Sequence, residues 1–216
     1  MPRWNILITA GPTREPLDPV RFLSNRSSGK MGYALAEAAR NAGHRVTLIS
    51  GPVSLPPPRR IRLLRVETAR EMLRATLKEA RRARIIIMAA AVADYEPLVV
   101  SRQKIKKNSG GLYLRLKKTT DILAELGRRR TRGQLLVGFA AETTQLLRHA
   151  RVKLESKGAD YIVANRVGKR GMGFESDYNA VTILGRDGSS HSLKRMSKKR
   201  LAGQLMKFLL SQRPER

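Results

Sequence analysis

Residues 84–91 read Arg-Ile-Ile-Ile-Met-Ala-Ala-Ala, a nearly continuous apolar run. It has the look of a strand buried on both faces, as in a parallel sheet covered by helices on either side. The flanks follow the same plan. Upstream, residues 67–83 form a charged amphipathic pattern at helical spacing, preceded by a strand-like segment at 61–66 and a loop marked by Pro52 and Pro56-Pro57-Pro58. Residues 45–50 read as a second strand. Before them Met31, Ala34, Leu35, Ala38 and Ala39 recur at helical spacing over 29–41, with Gly43 placed as a C-terminal cap. A first strand, 5–9, stops at the turn signal Ala10-Gly11-Pro12-Thr13, and a polar stretch runs on to Asn25.

Downstream of the run, residues 94–111 lack periodicity and carry three lysines and two glycines, the composition of a mobile flap, placed at 95–111. Residues 112–117 alternate as a strand and 121–130 are helical. A strand at 135–140, a helix at 143–157 and a strand at 161–164 restore the alternation. Strands 180–184 and 191–193 flank the hairpin signal Asp187-Gly188, and an amphipathic helix closes the chain at 197–210. The expected fold is α/β: one domain over 1–216 with a Rossmann-like, doubly wound, mostly parallel sheet, the flap, and a small C-terminal β-hairpin plus helix. Ligands of such sheets sit beyond the C-terminal ends of the strands, where this chain is rich in Gly, Ser and Asp (11–13, 25–30, 91–94 and 138–142).

Composition narrows the chemistry. The 216 residues contain no cysteine and three scattered histidines (His44, His149, His191), which excludes a thiolate nucleophile and leaves little for a zinc site. No apolar stretch approaches ~18 residues and no signal peptide is apparent, so a cytoplasmic protein without membrane association is expected. The 44 Lys+Arg against 17 Asp+Glu give +27, a field that attracts polyanions. Aromatic residues make up 5%, and none interleave with the cations as a stacking platform. A dedicated nucleic-acid site is therefore not expected, although a basic RNA-binding protein remains an alternative.

The octet Asn25-Arg26-Ser27-Ser28-Gly29-Lys30-Met31-Gly32 opens the first helix with two hydroxyls, two glycines and a lysine. That suits an anion held by backbone N–H groups and the helix dipole; an ordinary N-cap would explain only one serine. It is neither a Walker A loop nor G-x-G-x-x-G, which disfavours the alternative of an NAD(P)-binding oxidoreductase. Asp94 follows the buried run, where a carboxylate can accept from ribose or an amine or hold Mg²⁺, or simply end the strand as an Asx turn. Lys104-Ile105-Lys106-Lys107 places cations on a glycine-flanked loop that could close over a polyphosphate or stay solvated. Phe139 could stack on a base or fill the core, and Lys153 and Lys157, four apart on one helix, could reach phosphates or solvent.

Eight blocks in order, 8–18 (ITAGPTREPLD), 20–32 (VRFLSNRSSGKMG), 50–55 (SGPVSL), 89–95 (AAAVADY), 104–107 (KIKK), 137–143 (VGFAAET), Ala164-Asn165 and 173–181 (GFESDYNAV), resemble phosphopantothenate–cysteine ligase, the synthetase domain of the coenzyme A pathway. The resemblance implies condensation of 4′-phosphopantothenate with L-cysteine through an acyl-cytidylate, with CTP consumed to CMP and pyrophosphate and Mg²⁺ as cofactor. It implies a homodimer, acting beside a phosphopantothenoylcysteine decarboxylase that is either fused or separate. By position it assigns Asn25 to the reacting acyl group and Lys104 to phosphate charge. Around the nucleotide it places Ala90, Asp94, Thr120, Asp121, Ile122, Leu123, Phe139, Lys153 and Lys157. Arg21 with Ser27, Ser28, Gly29 and Lys30 is assigned to the substrate's phosphate end, and no metal ligands are assigned. KIKK together with Asp94 in Ala-Val-Ala-Asp resembles the bacterial, CTP-using branch. One departure is Thr119-Thr120-Asp121, where that branch usually carries a proline before the aspartate, a residue that would fix φ.

Overall fold

Ile85, Ile86 and Ile87 are buried to within 1% of full cover, and in the computed structural model they form the sheet's interior. The structure describes residues 2–107, 111–166 and 176–212. In chain order the elements are β1 (Asn5–Ala10), β2 (Arg14–Pro16), β3 (Phe22–Ser24), α1 (Lys30–Asn41), β4 (Arg45–Ser50), β5 (Arg62–Arg65), α2 (Ala69–Ala80), β6 (Ile85–Met88) and β7 (Tyr95–Pro97). They continue with β8 (Leu116–Lys118), α3 (Ile122–Arg129), β9 (Leu135–Glu142), α4 (Leu146–Lys157), β10 (Tyr161–Arg166), β11 (Tyr178–Gly185), β12 (Ser190–Ser197) and α5 (Lys198–Ser211).

The main sheet runs β12-β11-β10-β9-β6-β1-β4-β5. From β5 to β10 all neighbours are parallel, and β11 and β12 extend the edge antiparallel. The order reverses between β1 and β6, which is the switch point where a doubly wound sheet opens a crevice at its C-terminal edge. Side-chain alternation builds the two layers. Ile6 and Ile8 of β1, with Ile85 and Ile87 of β6, join the core under α1 and α5. Leu7 and Ile86 face the opposite core under α2, α3 and α4. At roughly 1.5–3 kcal/mol per fully buried aliphatic side chain, these two layers supply the dominant drive to fold.

The α/β reading and the long elements agree with the sequence, and three details differ. The polar stretch after β1 is a small hairpin, β2 with β3. The expected strand at 112–117 is reduced to β8, which pairs with β7 as a short ribbon; Tyr113 is 94% exposed and has no strand beside it. The expected flap therefore starts as this ribbon, and its residues 108–110 lie outside those described. The C-terminal hairpin is longer than expected and belongs to the main sheet, turning through Gly188 at φ +84°.

Candidate active site

The loops after β1 and β6 are stitched together across the switch point. Ala91 N–H donates to Gly11 O (2.9 Å), and Ala93 N–H donates to Thr13 Oγ1 (3.0 Å). Below them Thr9 Oγ1 accepts the Ala90 N–H at 3.1 Å. These bonds hold the floor of a cleft of about 730 Å³ at the C-terminal edge of the strands.

One wall is the start of α1. Gly29 stands just before the helix at φ +75°, and a Cβ there would come within 2.7 Å of Val53 Cγ1, so glycine is required twice over. The N-cap position of α1 is Gly29, which brings no side-chain cap. The serine cap that would have made this loop ordinary is thus not formed; Ser27 Oγ instead accepts the Gly29 N–H at 3.4 Å. The positive end of the helix dipole faces the cleft, where it favours an anion. Lys30 Nζ sits 2.6 Å from Asp177 Oδ1 on the same wall.

Asn25 follows β3 and reaches over the floor. Its Nδ2 donates to Ala91 O (3.0 Å) and Val92 O (3.2 Å), which leaves Oδ1, an acceptor, as the remaining polar atom of the amide.

The opposite wall comes from α3 and α4. Asp121 caps α3 through Oδ1, accepting the Ala124 N–H at 2.8 Å, and its Oδ2 lies 3.0 Å from Lys157 Nζ. Burial alone would raise this carboxyl, but the Ala124 N–H and Lys157 outweigh it and hold it below the usual range. Lys153 Nζ donates to Phe139 O at 2.9 Å. Burial pushes its amine below the ordinary lysine value, while the carboxylates of Asp121, Glu142 and Asp94 oppose the shift. Thr119 joins this wall to the floor: its N–H donates to Asp94 O (2.9 Å) and its Oγ1 to Ala93 O (2.6 Å). These two bonds restrain the turn at the point where a proline was expected.

The cleft gathers every predicted site residue except Arg21 and Lys104. Lys104 is exposed and outside the lining. Arg21 does not reach the cleft either, because its guanidinium forks onto Asp18 and donates to Ile105 O. Several lining residues were not anticipated. Asn165 and Asn179 are buried polar groups on β10 and β11, and Lys198 opens α5. Burial, aided by the charge of Lys30 and opposed by Asp177, lowers the Lys198 amine to about 8. A polar residue inside an apolar strand could have flagged the two asparagines, whereas nothing local marked Lys198.

Part of the positive charge collects elsewhere. A hollow of about 940 Å³ at the N-terminal edge of the strands is lined by seven arginines, among them Arg3, Arg45 and Arg60, with Glu79 as its one acidic side chain.

Residues 2–212 match the family described as the DNA/pantothenate metabolism flavoprotein C-terminal domain. The chain is 52% identical, over 195 residues, to the coenzyme A biosynthesis bifunctional protein CoaBC of Bacillus subtilis (strain 168), covering 90% of this chain and 48% of that protein. It superposes on the crystal structure of the C-terminal domain of a coenzyme A biosynthesis bifunctional protein CoaBC with TM-score 0.80 and 42% identity, covering 95% and 93% of the two chains. A Cab2 mutant in complex with phosphopantothenate-cysteine shares the fold at TM-score 0.79 and 19% identity, covering 95% and 86%. The chain spans about half the length of the curated relatives it matches.

Proposed function

The chain belongs to the family of DNA/pantothenate metabolism flavoprotein C-terminal domains, and from that premise we propose that it is a phosphopantothenate–cysteine ligase. The observation that carries this reading is the cleft itself. It sets a helix N-terminus on one wall, lysines on the other, and the Asn25 amide between them over the switch point.

The reaction runs in two steps. The carboxylate of 4′-phosphopantothenate attacks the α-phosphorus of CTP, forming an acyl-cytidylate and releasing pyrophosphate. The free amine of L-cysteine then attacks the acyl carbon, an amide bond forms as the acyl–phosphate bond breaks, and CMP leaves. No covalent enzyme intermediate is needed, so the protein's task is alignment and charge compensation. The α1 start, through Ser27, Ser28, Gly29 and Lys30, takes the terminal phosphate of phosphopantothenate. Lys153, Lys157 and Asp121 surround the nucleotide with Ala90, Asp94, Thr120, Ile122 and Leu123, and Phe139 lies against its base. Lys104 neutralises the triphosphate from the ribbon side. Asn25 Oδ1, an acceptor, suits an N–H of the incoming amine as it approaches the acyl group.

Mg²⁺ fits as a passenger of the nucleotide. Among the described residues no three His, Cys, Asp or Glu side chains are grouped to hold a metal, and the carboxylates of Asp94, Asp121 and Glu142 line the cleft without forming such a group. That matches an ion held chiefly by phosphates and water. Bound there, it would offset phosphate charge during pyrophosphate release.

A homodimer is part of the reading. Val99, Leu112 and Tyr113 expose apolar surface beside the β7–β8 ribbon, 79%, 57% and 94% respectively, as expected of a face that a second copy covers. The resemblance implies a phosphopantothenoylcysteine decarboxylase, fused or separate, as the user of the product, and the matched relatives are bifunctional and about twice as long. No helix among the described residues is long and apolar enough to cross a membrane, and a cytoplasmic setting is proposed.

The test is product formation by the purified chain with phosphopantothenate, cysteine and Mg²⁺. CMP and pyrophosphate release from CTP, dependent on phosphopantothenate, is expected, with ATP the poorer donor. Absence of turnover with both nucleotides would overturn the ligase reading, and stabilisation by NADPH instead of CTP in a thermal-shift series would redirect it to an oxidoreductase.

A further inference from the structure

Asp18 is a charged side chain with no exposed surface, set in the turn between β2 and β3. Five donors converge on its two oxygens. Oδ1 accepts the N–H groups of Val20 and Arg21, both at 2.8 Å. Oδ2 accepts Arg21 Nε (3.0 Å), Arg21 Nη2 (2.6 Å) and the N–H of Ile105 (3.0 Å). Arg21 Nη2 also donates to Ile105 O at 2.7 Å. Both backbone polar groups of Ile105 are therefore held by one ion pair, more than 80 residues away in sequence. Ser101 N–H donates to Leu17 O (2.9 Å), fixing the start of the same segment.

Ile105 stands between Lys104 and Lys106. An exposed basic loop with no such anchor would sample many positions, and its cations would be screened and poorly directed. Gripping the peptide unit at Ile105 fixes where the neighbouring lysine side chains start. The other end of the hairpin is equally tied. Ser24 Oγ donates to Thr13 O (2.8 Å), and Asn25 reaches the carbonyls of Ala91 and Val92. One hairpin thus carries Asn25 at its end and the grip on Ile105 at its turn.

We propose that the Asp18–Arg21 pair is a positioning device that fixes the Lys104–Lys106 segment relative to Asn25, and that Arg21 acts in this way instead of contacting the substrate's phosphate. Asp18 and Arg21 are positioning residues, and the proposal rests on the reading of Lys104 as a nucleotide-phosphate group. The buried charge-assisted bonds make the device rigid. The contacts of Arg21 also make it selective, since a lysine could pair with Asp18 but could not form the same fork.

The experiment combines amide hydrogen exchange with steady-state kinetics on the full chain. In Asp18→Asn, exchange of the segment containing Ile105 is expected to speed up by about ten-fold or more, as is usual when a charge-assisted bond is lost. The KM for CTP should rise by a similar factor while the KM for phosphopantothenate stays near the wild-type value. Arg21→Lys should give a smaller change in the same direction and Arg21→Gln a larger one, with melting temperature measured to confirm folding. The effects of Asp18→Asn and Lys104→Ala on the CTP KM should be non-additive. Unchanged exchange at Ile105, or faster exchange with an unchanged CTP KM in a protein where Lys104→Ala raises it, would overturn the device. A rise confined to the KM for phosphopantothenate in Arg21→Lys would also overturn it and return Arg21 to substrate binding. If Lys104→Ala leaves the CTP KM untouched, the reading of Lys104 fails and its positioning fails with it; intact exchange protection in that protein identifies which part was wrong.

Discussion

Asp121 divides its two carboxylate oxygens between two tasks: Oδ1 accepts the Ala124 N–H at 2.8 Å as the cap of α3, and Oδ2 lies 3.0 Å from Lys157 Nζ. The two tasks separate by mutation. Asn retains a capping oxygen, so Asp121→Asn should change stability by less than ~0.5 kcal/mol, whereas Asp121→Ala should cost about 1 kcal/mol. Both lose the carboxylate that holds Lys157. Both should therefore raise the KM for CTP by about two- to five-fold, the scale of a partly exposed ion pair. Thermal denaturation and initial-rate kinetics on the two variants check each part, and an Asn variant as unstable as the Ala variant would remove the capping role.

Asn25 spends both N–H groups of its amide on the carbonyls of Ala91 and Val92. A carboxylate in its place would face those two carbonyls with no hydrogen to donate, and would be repelled from them. In Asn25→Asp the first half-reaction, which depends on cations elsewhere in the cleft, should persist. Amide formation should slow by about 10²-fold, the cost of misplacing one reacting group. Quenched single-turnover assays should then show acyl-cytidylate accumulating, and wild-type turnover would refute the assignment.

The parts of the fold that could be read in advance are those where burial imposes a period. The isoleucines of β6 and the spaced small residues of α1 must match the faces they cover, so their pattern survives in the chain. Three-residue strands carry no such period. The pairing of Arg14–Pro16 with Phe22–Ser24 depends on a partner strand, and the ribbon of β7 and β8 joins segments separated by a long connection. The site divides along the same line. The Ser27–Lys30 loop, which lines the cleft, is marked by composition, with small polar residues and a glycine together before a helix. The resemblance assigned Arg21 to the substrate's phosphate end by motif position, whereas its hydrogen bond to the carbonyl of Ile105, remote in sequence, had no local signal. Lys198 enters the cleft from the far end of the chain and likewise leaves no local signature.

Gly32 lies where α1 crosses β1. A Cβ at this position would sit 2.5 Å from Ala10 Cβ and 3.0 Å from Thr9 O, and neither atom belongs to a flexible side-chain end. Gly32→Ala must therefore lift the first turn of α1 from the sheet. Overpacking of this kind costs roughly 1–3 kcal/mol. The displaced turn is the helix start proposed to hold the substrate's phosphate, so the KM for phosphopantothenate should rise more than that for CTP. A variant with wild-type melting temperature and both constants unchanged would show that the close approach is not needed.

Glu15 gives the pH dependence a definite sign. The side chain is buried at 1% exposure on β2; Oε1 accepts the Ala69 N–H at 2.9 Å, and Oε2 has no partner among the described residues. Burial pushes its pKa up against the opposing hydrogen bonds of Thr13 and Ala69, and the nearby carboxylates of Glu96 and Glu71 add to the rise. A raised folded-state pKa means that the protonated form is favoured by folding. That contribution is complete below the usual glutamate range and is lost as pH rises through the raised value. Gln at this position keeps the acceptor for Ala69 and carries no charge at any pH. The melting temperature of Glu15→Gln should therefore match wild type near pH 4 and exceed it at pH 8. A gain of ~1 kcal/mol, the lower end for an unsatisfied buried group, would appear as about 2–4 °C in a chain of this size. Equal melting temperatures at both pH values would show that the carboxylate finds compensation on ionising, and a variant less stable at pH 8 would show that its charge supports the hairpin carrying Asp18 and Arg21.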